Sequence, residues 1–357
     1  MDITTHLETL ADDDARAFRS VIRLLKAQPE AEPSPGLHNR IAAQLPAQRK
    51  MPSFWRWGIP IAASLTVLLG VARVLQHRSP TENGDIRWLA ENQETDGTWN
   101  PARHGGAEPF RPALTALSLL ALREANGVGG HTGQIAKGLS ALERLQTVEG
   151  AFGGDGGQSQ LYNLAITTYA LATCEADNAT LSRAVTHIGT SQQPDGSWTY
   201  TQEGNAAVTA WMTRALVCAE AQGVVEARVP LRKGLRWLRD NVRDDGRMAY
   251  HPASAPSDTL TALSAHSLIV AGKTFPDLQA LGIRMADALN TQPSAAAPSD
   301  CYRDYAKIIA FESAGNTASA DAIRNQIRQR PPAAHDQWGV AGGQVYTVAL
   351  TTLSRAH

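Results

Sequence analysis

The feature that most constrains this chain is a spacing that returns. In "WLAENQETDGTW" Gln93 stands four residues before Gly97, and Trp99 follows two later. "ALERLQTVEGAF" repeats the arrangement with Gln146, Gly150 and Phe152, and "HIGTSQQPDGSW" repeats it with Gln192, Gly196 and Trp198. A fourth copy, "WLRDNVRDDGRM", keeps Gly246 and Met248 and puts Val242 where glutamine stood. The period is about fifty residues, within the range of repeat architectures built from stacked supersecondary units. Each copy ends one helical pattern and is followed by a second apolar run: Ala113–Ala125, Leu161–Cys174, Ala206–Ala221 and Thr259–Ala271. The unit is therefore helix, glycine turn, helix. Two degenerate units follow. One carries Ile283–Leu289 and "CYRDYAKIIAF" from Cys301; the other carries Ala322–Ile327, "QWG" at Gln337 and "VYTVALTTL" from Val345. No alternating strand pattern interrupts them, so the expectation is six helical hairpins, each burying one face on the next.

The most glycine-rich stretch, "GAFGGDGG" from Gly150 to Gly157, falls within this scheme. A phosphate loop follows a strand and reads GxGxxG or ends in GK[ST]; this stretch follows a helix and does neither. It is read as the reversal between two helices, where glycine adopts positive φ without a Cβ clash. The motif glutamines can bond backbone groups at helix ends and the aromatics can cover the turn, so Gln93, Gly97, Trp99, Gln146, Gly150, Phe152, Gln192, Gly196 and Trp198 are read as structural.

The motif extends upstream. Gly84 with Trp88-Leu89, Lys137-Gly138 with Ala141-Leu142, Arg183-Ala184 with His187-Ile188, and Lys233-Gly234 with Trp237-Leu238 precede the four turns. This pattern resembles the QW motif of squalene and oxidosqualene cyclases, and "GAFGGDGGQSQLYNLAITTYAL" resembles the glycine-rich repeats of protein prenyltransferase beta subunits. The resemblance covers about residues 80–357 and implies an all-α fold, an α/α toroid of six outer and six inner helices around a central cavity.

The chemistry of those families does not carry over residue by residue. The Asp-rich DxDD acid of the cyclases is absent; the acidic runs at Asp12 and Asp244 lie in the tail and in a turn. The prenyltransferase zinc pattern of Asp, Cys and a distant His has only a loose counterpart in Asp300-Cys301 with Asp304 and then His335 or His357, and the spacing does not match. Catalytic residues, a metal site and a cofactor are accordingly not assigned. The three cysteines, Cys174, Cys218 and Cys301, form no CxxC pair and are read as small apolar side chains in helices. The inner helices carry Tyr162, Tyr169, Trp211, His266, Tyr305 and Tyr346. Two readings of these side chains stand: they line a ligand cavity, or they fill the middle of the ring.

The N-terminal part is different in kind. "WGIPIAASLTVLLGVARVL", Trp57 to Leu75, carries no charge from Gly58 to Ala72, which is long enough to span a bilayer if Arg73 snorkels. Trp55 and Trp57 suit an interfacial belt, and the basic flank at Arg49, Lys50 and Arg56 favours a cytoplasmic N-terminus. A buried core helix would seldom lack polar residues over four turns, and a signal sequence cleaved near Gly70 and Ala72 would not normally follow so long a polar chain. Before the span, Phe18, Val21, Ile22 and Leu25 form one apolar helical stripe, and Leu37, Ile41 and Leu45 form a second. "PSPGLHNRIAAQL", followed by basic residues and one span, resembles the membrane-proximal part of bacterial anti-sigma factors; with no cysteine in residues 1–52 it would be a zinc-free member, and the resemblance implies a sigma factor as partner.

The expected organisation is a helical tail over 1–52, a transmembrane helix over 53–76 and a toroid over 80–357, in a bacterial single-pass inner-membrane protein with its N-terminus inside and the toroid extracytoplasmic. The expected function is a non-catalytic toroid that binds a hydrophobic small molecule or a protein, with a tail that regulates a sigma factor. The alternative is a membrane-associated enzyme, cyclase-like or prenyltransferase-like, acting on an isoprenoid or lipid. A formal net charge of -1, from 33 basic and 34 acidic residues, gives no electrostatic case for a nucleic-acid partner.

Overall fold

A turn that only glycine accommodates closes each of the first three hairpins, and the packing that follows is organised around it. The computed structural model describes residues 81–125, 131–153, 158–200, 204–251, 254–272, 274–290, 300–329 and 339–356. The expectations for residues 1–52 and 53–76 lie outside the described residues. The described part is all-α: twelve α-helices, three short 3₁₀ turns, and two isolated antiparallel bridges in place of any strand. The helices are α1 Thr81–Glu91, α2 Arg111–Glu124, α3 Thr132–Leu145, α4 Gln158–Thr173, α5 Asn178–Thr190, α6 Ala206–Ala221, α7 Arg228–Asp240, α8 Asp258–Ala271, α9 Pro276–Ala288, α10 Cys301–Ser313, α11 Thr317–Gln329 and α12 Gly339–Ala356. Among the described residues no helix is long and apolar enough to cross a membrane.

Local signals start these helices where the sequence says they should. Asp177, Asn205 and Asp300 each sit at an N-cap and accept two backbone N–H groups of the first turn of α5, α6 and α10. Even- and odd-numbered helices then differ in composition. Helices α2, α4, α6 and α8 are apolar or small on nearly every face and are buried along most of their length, as a helix without a polar side must be. Odd-numbered helices bury one stripe. In α7, Leu231, Leu235 and Leu238 face inward, while Arg232, Lys233, Arg236 and Arg239 are exposed. Each odd helix packs on an even one, and each even helix packs on the next: α2 on α4, α4 on α6, α6 on α8, α8 on α10, α10 on α12 and α12 on α2. Arg355 of α12 is paired with Asp85 of α1, which joins the first and last described helices.

The repeated motif is the fastener between one hairpin and the next. Gly97, Gly150 and Gly196 have φ of +92°, +93° and +96°. A Cβ at these positions would come within 2.4, 2.3 and 2.6 Å of the backbone carbonyl oxygens of Lys137, Arg183 and Lys233, on the next odd helix. Each motif glutamine bridges the same junction. Its Nε2 donates to the carbonyl of its own turn and to a carbonyl in the first turn of the following odd helix: Gln134 for Gln93, Thr180 for Gln146 and Pro230 for Gln192, all at 2.9 Å. The tryptophans seal it from inside. Trp99 and Trp198 are fully buried, and their indole N–H groups donate to the Leu89 and Ile188 carbonyls at 2.8 Å. Their backbone N–H groups donate to Thr115 and Thr209 of the next even helix, and Met248 keeps this bond with Thr261 although it has lost the ring. The small residue after the basic one is explained too: a Cβ on Gly234 would stand 2.8 Å from the Trp198 ring.

Two variants test the fastener. Trp198→Ala is expected to lose about 3–5 kcal/mol of stability, as large-to-small changes at fully buried aromatics do. Gly223 also has positive φ, +88°, but open space around it, so Gly223→Ala is expected to cost only the left-handed penalty of about 1–2 kcal/mol, and Gly196→Ala clearly more. Urea unfolding of the three variants checks the order; equal costs for the two glycine variants would remove the carbonyl contact as the cause.

Candidate functional site

The even helices converge on one apolar pocket of about 80 Å³. Leu114 and Leu117 of α2, Ile166 of α4 and Leu350 of α12 form its aliphatic walls. Tyr162 of α4, Trp211 of α6, Tyr302 of α10 and Tyr346 of α12 supply its aromatic side, and Gln158 stands at the N-terminus of α4. The described lining thus draws on five of the six even helices and contains no carboxylate, imidazole or thiol.

The polar tips are held in place. Trp211 is 1% exposed, and its indole N–H donates to the Tyr302 hydroxyl at 2.6 Å. Burial pushes the Tyr302 hydroxyl up from its ordinary value, and the Trp211 bond pulls it partly back. Burial also raises Tyr162, with the hydroxyls of Tyr302, Tyr250 and Tyr200 adding to it. Near neutral pH these groups stay protonated. They can orient a ligand by hydrogen bonding, but they offer it no base.

One turn beyond the pocket lies a charge. Arg214 of α6 is 4% exposed. Its Nη2 donates to the Tyr169 hydroxyl at 2.7 Å, and its guanidinium carbon lies 4.1 Å from the Tyr169 ring centre, 5.2 Å from that of Trp211 and 5.6 Å from that of Tyr305. Trp211 stacks on Tyr305 at 6.5 Å and meets Tyr169 edge-on at 6.1 Å. Three π faces therefore enclose one cation, an arrangement worth about 2 kcal/mol or more per contact when desolvated.

The six aromatic and histidine residues singled out in the sequence separate into three places. Tyr162, Trp211 and Tyr346 line the pocket. Tyr169 and Tyr305 belong to the cage around Arg214, which Trp211 shares. His266 is elsewhere, between α8 and α10, with Nδ1 2.8 Å from the Ser313 hydroxyl and 3.3 Å from the Ile309 carbonyl. Tyr302 and Arg214 were not singled out. Arg214 had a visible signal, being the one charged residue in the otherwise apolar "AVTAWMTRALVCA"; Tyr302 had its place three residues before Tyr305 on the same helix.

The loose zinc-like set does not assemble. Asp300 caps α10 through the Tyr302 and Arg303 N–H groups, Cys301 is buried, and Asp304 is 3.7 Å from Arg303 Nε. His335 and His357 lie outside the described residues. Among the described residues no three His, Cys, Asp or Glu side chains gather as a metal site would require. Burial raises the thiols of Cys174, to about 11, and Cys218, so neither is a reactive thiolate. No protein-family model matches the chain, and no curated protein matches it.

Tyr302→Phe tests the pocket floor. The change leaves the buried Trp211 N–H without its acceptor and is expected to cost about 1–3 kcal/mol. Denaturant unfolding, with Trp fluorescence as the second readout, checks it; an unchanged midpoint would mean that the bond does not hold the indole.

Proposed function

We propose that the domain is a closed α/α toroid that binds a small apolar ligand in its central pocket without transforming it, and that residues 53–76 anchor it to a membrane. Closure is supported by the packing order of the even helices, which runs from α2 to α12 and returns to α2, and by the Arg355–Asp85 pair between the terminal helices. One observation carries the choice of binding over turnover. The described pocket walls are aliphatic and aromatic with no carboxylate, imidazole or thiol, and burial keeps Tyr162 and Tyr302 protonated, which leaves no described base at neutral pH. The aromatic cage argues the same way. A carbocation-type reaction needs π faces open to a developing charge, and here Tyr169, Trp211 and Tyr305 already enclose Arg214.

Anchoring rests on the uncharged run from Gly58 to Ala72 and the basic flank before it. The two apolar stripes of residues 1–52, on a segment too short to bury them alone, support a helical partner site on the cytoplasmic side, with a sigma factor as the partner class suggested by the resemblance of the tail.

Filling the pocket tests the binding reading. Ile166→Trp is expected to weaken an uncharged apolar fluorophore such as N-phenyl-1-naphthylamine at least tenfold in the full-length protein, with the melting temperature nearly kept. Equal binding would place the ligand elsewhere, and product formation from farnesyl diphosphate or squalene by the unmodified protein would install the enzyme reading instead. Topology has its own test: an alkaline phosphatase fusion after His357 is expected to be active, and an inactive fusion at normal abundance would reverse the orientation.

A further inference from the structure

Buried arginines elsewhere in this domain hold carboxylates. Arg324, 7% exposed as a side chain, pairs with Glu312 and Asp321, and Arg355, 8% exposed, pairs with Asp85. Arg214 is as buried as either and pairs with no carboxylate among the described residues. Its Nη2 has the Tyr169 hydroxyl. The Tyr305 hydroxyl also hydrogen-bonds the guanidinium, but like Tyr169 it is neutral and supplies no counter-charge. Nor can a neighbour serve as an internal anion. Burial raises the hydroxyls of Tyr169 and Tyr305 and the Cys218 thiol, so all three are neutral at physiological pH. Glu124 at the end of α2 is near enough to raise Tyr305 further, yet it makes no ion pair with Arg214 and has Arg123 beside it. An arginine does not shed its proton to escape burial. The interior thus carries a positive charge that no carboxylate among the described residues pairs with.

Its position gives that charge a use. Ile166, Trp211 and Tyr302 line the pocket, and three residues further along the same three helices stand Tyr169, Arg214 and Tyr305. The cation layer is the next layer in from the pocket, and the Trp211 side chain takes part in both.

We propose that Arg214 is an anion receptor at the inner end of the apolar pocket, and that the ligand is an apolar acid: a single carboxylate on an aliphatic or aromatic body. This rests on the reading of the pocket as a binding site. The walls select the apolar body, the guanidinium selects one negative charge, and its planar N–H fork matches the oxygens of a carboxylate. A phosphate dianion would bring a second charge to a buried site with only one cation. Trp211 lines the pocket and faces the guanidinium, so its fluorescence reports the event.

The test is isothermal titration of the full-length protein in detergent with 4-phenylbutyrate and with its uncharged counterpart 4-phenylbutan-1-ol. The wild type is expected to bind the acid at least tenfold more tightly than the alcohol, with a change in Trp emission for the acid. Arg214→Met, close in volume and uncharged, is expected to bring the two affinities together while leaving the alcohol bound. The wild-type comparison stands even if that variant fails to fold. Equal affinities in the wild type, or a preference that persists in Arg214→Met, overturn the receptor role and leave the pocket intact. Binding of neither compound, with the apolar fluorophore still displaced by Ile166→Trp, also overturns the receptor role; loss of all three signals takes the pocket reading with it.

Discussion

The close approach of a glycine turn to a backbone carbonyl on the neighbouring hairpin is the constraint on which the rest of the domain depends. At Gly97, Gly150 and Gly196 the backbone adopts positive φ and lies so near Lys137, Arg183 and Lys233 that no side-chain carbon fits between. This contact sets the distance from one hairpin to the next. The glutamine bond to the next helix then fixes the direction, and the buried tryptophan excludes water from the junction. The same parts are used at the first three junctions, as nearest-neighbour stacking of like units favours. At the fourth junction valine replaces the glutamine and Met248 the aromatic, but the Thr261 bond and positive φ at Gly246 survive. Backbone geometry is the part of the motif that persists longest.

That outer fastening leaves α2, α4, α6 and α8 free to be apolar or small on nearly every side. They cannot face water, so they pack against each other, and whatever polar group they carry must be satisfied inside. Most are. Ser118 and Thr168 return hydrogen bonds to the carbonyl one turn back, Ser267 does so and also reaches Ala210, and the Trp211 and Tyr302 tips satisfy each other. Arg214 breaks this pattern. Aromatic faces and the Tyr169 hydroxyl lower the cost of its burial without supplying a counter-charge. A side chain of that kind, one layer beneath an apolar pocket, is the feature on which the proposed binding of an apolar acid rests.

The sequence by itself determined the all-helical class, the repeat and its period. The periodic apolar runs placed α2, α4, α6 and α8 to within a few residues, because helix formation follows local spacing. It also assigned the motif residues to structure and the glycine-rich stretch to a reversal, since positive φ and missing strand context are local properties. What it could not specify was which of six inner aromatic and histidine residues would meet. That depends on the rotation of each even helix about its axis, which is set by contacts with two neighbours distant in sequence. Tyr162, Trp211 and Tyr346 converge on the pocket, Tyr169 and Tyr305 drop one layer to Arg214, and His266 turns toward Ser313. Helix propensity and hydrophobic pattern are indifferent among these outcomes, because nearly every face of α2, α4, α6 and α8 is buried. Only the tertiary structure decided where Arg214, buried with no carboxylate partner among the described residues, would lie, since its burial is a sum over helices distant in sequence.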